Sequence, residues 1–375
     1  RQVNPGDTLV LSSQDSWTYL RMEEYKGTAA CPIVVMNEGG QVWMKDGIYA
    51  KNAHYMKITG SGAPNVYYGI KVYSPEFDGY SVAINIQGRS KNIEVERIDV
   101  KHKGYGVWAK QDPLCDPAYN YPNYVMDSIE IHHCRFKRIW QDCIYAGNTD
   151  PLGERVTMCN GVATHPIPMR MSNVHLHHLI IDSCGRTGIQ LTGADAGINS
   201  IHDNIVTNCG YEYNQWQGTG ISIGGMTKNC YVYNNVVKNS FIYGIFDLGA
   251  DSSFVYNNYI DSSGFLKIDP AVNIDSLAAA TNTTALPGRI LKNTMSMPGN
   301  IQTTTRESIP HSTKTVFYRN NRVGKNASTL APNGLIAFGW WGPAEDWTTY
   351  NQVCGNTLLD GVTPAKVDLF WYTDS

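Results

Sequence analysis

The sequence predicts an all-β fold: a single-stranded, right-handed parallel β-helix of about ten coils with terminal caps. Three observations predict it. One pattern returns along the 375 residues: apolar alternation, a polar pair, then renewed alternation. Its period is two rather than 3.6, so the segments are strands. A column reading Cys134, Leu179, Asn204, Asn235, Asn258, Asn293, Asn321 and Asn356 recurs at steps of 23 to 45 residues, so each repeat is one coil and the variable part is loop.

The elements follow in chain order. Residues 1–45 hold an N-terminal cap and the first coils, where "PGDTLVL" and "PIVVMNEGG" read as turn, strand and Gly-Gly corner. Residues 46–323 form the body. Its coils show in "IEVERIDV" (93–100), "IEIHHCRF" (129–136), "VHLHHLII" (174–181), "NSIHDNIV" (199–206), "CYVYNNVV" (230–237), "SFVYNNYI" (253–260) and "VFYRNNRV" (316–323). "RILKNTMS" (289–296) and "QVCGNTLL" (352–359) fit more loosely. Most coils add a later strand, often opened by Gly: "GYGVWAK" (104–110), "DCIYAG" (142–147), "TGIQLTG" (187–193), "TGISIGG" (219–225) and "YGIFDLG" (243–249). Residues 324–375 hold the last coils and a cap. There "NGLIAFG" (333–339) reads as the last such strand, and Trp340, Trp341 and Trp347 cover the open end or offer a sugar patch. All three segments form one domain.

The asparagine column has a physical role: a buried Asn at a tight turn adopts the left-handed conformation, and its amide bonds the Asn of the next coil. Cys184 and Cys209 share another column, where stacked core thiols are expected rather than a disulfide.

Composition excludes some functions. The net charge of −3 does not mark a nucleic-acid binder. No apolar run is long enough to span a bilayer. Nine cysteines without a CxxC speak against a zinc finger or small disulfide scaffold. The chain starts at Arg1, which fits a processed form with its signal peptide removed, hence a secreted, periplasmic or cell-surface protein. A monomer is expected.

From "PGDTLVL…GT…PIVV.NEGG" onward the chain resembles the bacterial right-handed parallel β-helix family, over most of residues 3–323. That family often acts on polysaccharides. The resemblance implies that the Gly-opened strand lines a long groove and that loops at its ends form walls. Within it, "QDCIYAG" resembles the "DDCIAI" segment of polygalacturonase-like hydrolases, and "GTGISIGG" their "GHGISIG". Those enzymes use three acids and a histidine on successive coils. Here Gln141 replaces the first acid, Thr219 the histidine and Tyr105 an acid of the preceding coil, leaving Asp142.

On the groove strand Val107, Ile144, Ile189 and Ile221 alternate inward, and Trp108, Tyr145, Gln190 and Ser222 outward, followed by Lys110. Tyr105, Asp142, Thr187, Thr219 and Tyr243 stack just before it. The catalytic candidates are Asp142, Arg186, Lys110 and Tyr105, with an inter-coil salt bridge as the plain alternative for Asp142 and Arg186. Insertions at 111–124 and 148–171 follow the groove strand on consecutive coils, and Cys115 and Cys159 within them can form a disulfide if the protein is secreted. Residues 210–218 rise on the other wall. Long loops flanking one section of a rigid rod mark a working site. Trp108, Trp140, Tyr145, Gln190, Tyr213, Trp216 and His165 are substrate-binding candidates, the rings by stacking on sugars.

His132, His133, His175, His177 and His178 fall on two faces by alternation, away from the groove, which favours structural roles over metal. Calcium at Asp150, Asp195, Asp247 or Asp251 is compatible, with no distinctive ligand spacing. The functional expectation is a carbohydrate-active enzyme, foremost a lyase that cleaves an acidic, uronic-acid glycan by β-elimination. A glycoside hydrolase and a non-catalytic glycan-binding rod are the alternatives.

Overall fold

The computed structural model describes residues 2–75, 79–150, 152–153, 155–212, 217–248, 250, 252–263, 299–304, 316–324, 335–340 and 351–371. Strands stack in register on three faces. The first face is a parallel sheet with eleven strands on one path, from Thr8–Ser12 through Lys91–Glu96, Val125–His132, Arg170–His177, Asn199–His202 and Cys230–Tyr233 to Asn351–Cys354. The second face carries Ile98–Lys101, Arg135–Ile139, Ile180–Cys184 and Ile205–Cys209. The third carries Val82–Gln87, Tyr105–Ala109, Ile144–Ala146, Ile189–Thr192, Ile221–Gly224 and Tyr243–Leu248. Each coil visits the faces in that order, which makes the chain an all-β parallel β-helix.

Alternation builds the core. Val107, Ile144, Ile189, Ile221 and Ile245 pair in register and are 0% exposed. Each such side chain contributes roughly 1.5–3 kcal/mol by leaving water.

The polar pair of each repeat makes the first corner. The residue just before the ladder column takes the left-handed conformation: His133, His178, Asp203, Asn234, Asn257 and Asn320 all have φ between 53° and 55°. Asn, Asp and His are the non-glycine residues that tolerate this region best. The second member turns inward. Asn204 donates its amide to Asn235 Oδ1 at 2.9 Å, Asn235 to Asn258 at 2.9 Å, Asn258 to Asn321 at 2.9 Å and Asn321 to Asn356 at 2.8 Å. The second amide hydrogen of each goes to a main-chain carbonyl, as from Asn258 to Val232 at 2.9 Å. The left-handed residue is therefore the one before the buried Asn, not the buried Asn itself.

Three expectations are corrected here. Phe254–Tyr256 pairs directly with Val316–Arg319, and Asn258 bonds Asn321, so the asparagine column passes from 258 to 321 without Asn293; "RILKNTMS" lies outside the described residues. The strand Leu335–Trp340 is not the last on the third face, because Lys366–Trp371 pairs beyond it and Trp340 is in register with Trp371. Trp340 is thus within the stack, while Trp341 and Trp347 lie outside the described residues. Finally, the histidines at 132, 133, 177 and 178 are not separated: a left-handed residue interrupts the alternation, and His133 and His178 come round beside His132 and His177.

Candidate active site on the third face

The outward column of the third face runs Asn85, Trp108, Tyr145, Gln190, Ser222, Phe246. Trp108 meets Tyr145 edge-on at 5.2 Å between centroids and Tyr105 at 4.7 Å. Lys110 Nζ lies 4.6 Å from the Trp108 ring and 4.4 Å from the Tyr145 ring. It also pairs with Asp112 at 3.0 Å and is only 5% exposed. Lys110 is therefore held between the two rings and Asp112 and is largely covered from solvent. Gln190 and Ser222 are buried.

Just before this strand lies a polar cluster. Tyr105 is half-buried and donates its hydroxyl to Gln141 Oε1 at 2.5 Å, and Gln141 Nε2 donates to Gly79 O at 2.9 Å. Burial, with Asp142 nearby, pushes the Tyr105 phenol well above the ordinary tyrosine range, against the pull of Arg186.

Asp142 was expected at the groove surface. It is instead 0% exposed, since it lies two residues before Ile144 and shares its inward phase. Its Oδ1 accepts the Thr187 N–H at 3.0 Å, and its Oδ2 has no hydrogen-bond partner among the described residues. Burial pushes its carboxyl from 3.8 up to about 6, with Glu212 acting in the same direction and the Thr187 N–H and Arg186 opposing.

Arg186 follows Gly185, whose backbone runs so close to Trp140 that a Cβ would fall 1.6 Å from the Trp140 carbonyl oxygen. The expected partner of Arg186 was Asp142. The guanidinium instead forks onto Glu212, with Nε to Oε2 at 2.5 Å and Nη2 to Oε1 at 3.4 Å. Nη1 stays outside that fork, and 23% of the Arg186 side chain is exposed against 7% for Glu212. Glu212 was not picked out in the sequence. It sits in an insertion with no counterpart in neighbouring coils, anchored where its N–H meets Gly185 O at 2.8 Å.

Disulfides hold this region from two sides. Cys115–Cys159 ties the two insertions, and Tyr121 N–H bonds Ile167 O at 3.1 Å between them. Cys143–Cys184 joins consecutive coils beneath the cluster. The second was not foreseen, because its cysteines occupy different columns. Cys184 and Cys209 do stand in register, and Cys209 is a free thiol.

Other candidates fall elsewhere. Trp140 turns round the corner onto Tyr211 and lines a depression of about 600 Å³ with Pro75, His102, Arg138, Ser183 and Asn208. His165 lies in the insertion with Nδ1 at 3.3 Å from Gly153 O. Tyr213, Trp216 and Asp251 lie outside the described residues. Asp195 faces Arg170 at 3.7 Å, and Asp247 is buried, accepting from Tyr318 at 2.7 Å. Neither these two nor Asp150 belongs to a cluster of three metal-ligating groups among the described residues.

The stacked faces define a β-solenoid. A right handed beta helix region is matched over residues 69–260, just over half of the chain, and the chain belongs to that family. No curated protein matches. Among solved structures, a GH136 lacto-N-biosidase from Eubacterium ramulus is 11% identical at a TM-score of 0.47, aligning 99% of this chain with 63% of that one. The chain thus spans less than two thirds of that protein. An alginate lyase from Paenibacillus is 11% identical at 0.39, over 98% of this chain and 93% of that one. A mannuronan C-5 epimerase A-module from Azotobacter vinelandii is 13% identical at 0.32, over 99% and 87%. Likeness at this level assigns no activity to this chain. Among the described residues, no helix is long and apolar enough to cross a membrane.

Proposed function

We propose that the chain is an exported carbohydrate-active enzyme, a monomer that binds a polysaccharide or oligosaccharide along the third face and cleaves it by β-elimination at a uronic-acid unit. One observation supports this reading: Tyr105 and Arg186 keep part of their surface in solvent, while Asp142 is sealed and the Glu212 side chain nearly so.

Elimination needs a cation on the substrate carboxylate, which acidifies the C5 proton, and a group to move that proton. The N–H groups on Arg186 Nη1 lie outside the Glu212 fork and suit a carboxylate. Glu212 then serves to hold the guanidinium in place. Tyr105, as phenolate, takes the C5 proton and returns it to the glycosidic oxygen as the C4–O bond breaks. Asp142 touches neither sugar nor proton in this scheme. It is a positioning residue whose charge acts on Tyr105 and Arg186. Trp108 and Tyr145 offer flat surfaces for flanking sugars. Export is supported by Cys115–Cys159 and Cys143–Cys184, since disulfides persist in oxidising compartments.

The second reading is hydrolysis by two carboxyls. Asp142, raised to about 6, has the proton affinity of a general acid. Its burial weighs against it. A screen of pectin, alginate, glycosaminoglycans and neutral plant glycans separates the readings. Elimination yields unsaturated, ultraviolet-absorbing ends, hydrolysis yields reducing ends alone, and a glycan-binding rod yields neither. Reducing ends without unsaturation overturn the proposal in favour of hydrolysis.

A further inference from the structure

A second cluster of reactive side chains lies on the first face, away from the groove. Glu96, His132, His177, His202, Tyr233 and Tyr256 are in register down one outward column. The rings stack: His132 on His177 at 4.9 Å, His177 on His202 at 4.8 Å, and His202 on Tyr233 at 4.6 Å. At the adjoining corner His133 stacks on His178 at 4.6 Å. Across each coil two imidazole nitrogens meet head-on. His132 Nδ1 lies 2.7 Å from His133 Nδ1, and His177 Nδ1 lies 2.8 Å from His178 Nδ1.

The far side of each ring is anchored. His132 Nε2 meets Glu94 Oε1 at 3.2 Å, and His177 Nε2 meets Glu130 Oε1 at 3.0 Å. A carboxylate there accepts a hydrogen bond from Nε2–H, which leaves the Nδ1 lone pair on the side of the corner histidine. Carboxylates behind metal-bound histidines do the same, fixing tautomer and ring orientation. The ligand atoms of His132, His133 and His177 already lie within 4.8 Å of one another.

We propose that His132, His133 and His177 form a binding site for a borderline divalent transition ion, Zn2+ or Cu2+, with Glu94 and Glu130 as the carboxylates that orient the rings. Imidazole nitrogen suits these ions, and zinc–nitrogen bonds of about 2.0–2.1 Å need the facing Nδ1 atoms to part only slightly. The site is independent of the groove chemistry, because its residues belong to the first face.

The test is calorimetric titration of untagged, chelator-stripped full-length protein with ZnCl2 or CuCl2. Saturable binding of about one ion with micromolar or tighter affinity is expected. His133→Asn and His177→Tyr should each weaken it at least tenfold. Both substitutions reuse residues that the same columns hold in later coils, Asn at 234 and 257 and Tyr at 233 and 256, so the fold is retained. His175→Asn, whose ring bonds Ser200 instead, should bind as the parent does. Nitrogen hyperfine structure in the Cu2+ resonance spectrum identifies imidazole ligands. Absence of saturable binding by either ion, or undiminished binding in both His133→Asn and His177→Tyr, overturns the assignment.

Discussion

The first corner and the third face treat buried polar groups in opposite ways. At the first corner Asn258 accepts two bonds from Asn235 and donates to Asn321 and Val232, so its amide is fully satisfied. On the third face Asp142 is equally buried, yet one carboxylate oxygen has no hydrogen-bond partner among the described residues and its proton affinity is raised. A satisfied buried polar column specifies register and holds coils together. A costly, half-satisfied acid beside a half-buried tyrosine and arginine holds charge where chemistry can use it. The same solenoid thus carries a satisfied scaffold at one corner and a half-satisfied buried acid on another face.

The largest expected effect is on the third face. Arg186→Ala should lower turnover of the folded fraction by roughly 10²–10³-fold, as for loss of one preorganised charge-stabilising group, beyond the stability lost by leaving Glu212 nearly buried without its partner. Equal loss of activity and of folding would erase the distinction between the two regions. At the first corner, Asn258→Ala should cost roughly 3–5 kcal/mol in denaturant unfolding while leaving the turnover of the folded fraction intact, because it strands several buried groups at once. Asn204→Leu should cost less: it ends the run of amides, and Leu179 already fills that column one coil earlier.

The next effect is a pH dependence. The native chain holds the Asp142 proton up to about pH 6, whereas a free carboxyl releases it near 3.8. Stability therefore falls as pH rises from about 4 to 6 and is flat above, by at most roughly 2–3 kcal/mol from this group. Asp142→Asn keeps an acceptor for the Thr187 N–H and should remove that slope in thermal scans. The same substitution removes a charge that holds the proton on Tyr105, so turnover at a given pH should be kept or raised. Turnover of the parent enzyme should climb into the alkaline range as Tyr105 loses its proton, whereas decline above pH 6 would indicate Asp142 acting as a general acid. Smallest is Trp108→Ala, about tenfold in KM with kcat largely kept, as expected for a stacking platform.

Much of the fold is legible in the residues. Period-two alternation places Ile144, Ile189 and Ile221 inside, and the repeated polar pair marks the corner. Two things resist that reading. Which member of the pair turns left-handed depends on backbone geometry, so His133 and His178 swing beside His132 and His177 although alternation separates them. Insertions also carry no register, so Glu212 could not be aligned with Arg186 before the chain was folded. Asp142 is different: extending the alternation two residues back from Ile144 already points it inward. Lys110 follows the outward phase as expected and is covered by neighbours that alternation does not describe, Asp112 and the two rings.

The most direct test is the rate of unsaturated-end formation by Tyr105→Phe beside the parent enzyme on a susceptible uronic-acid glycan. A loss of roughly 10²–10⁴-fold at a melting temperature within about 2 °C of the parent is the expected result. Full activity in this variant would contradict the placement of the proton-transfer step at the third face.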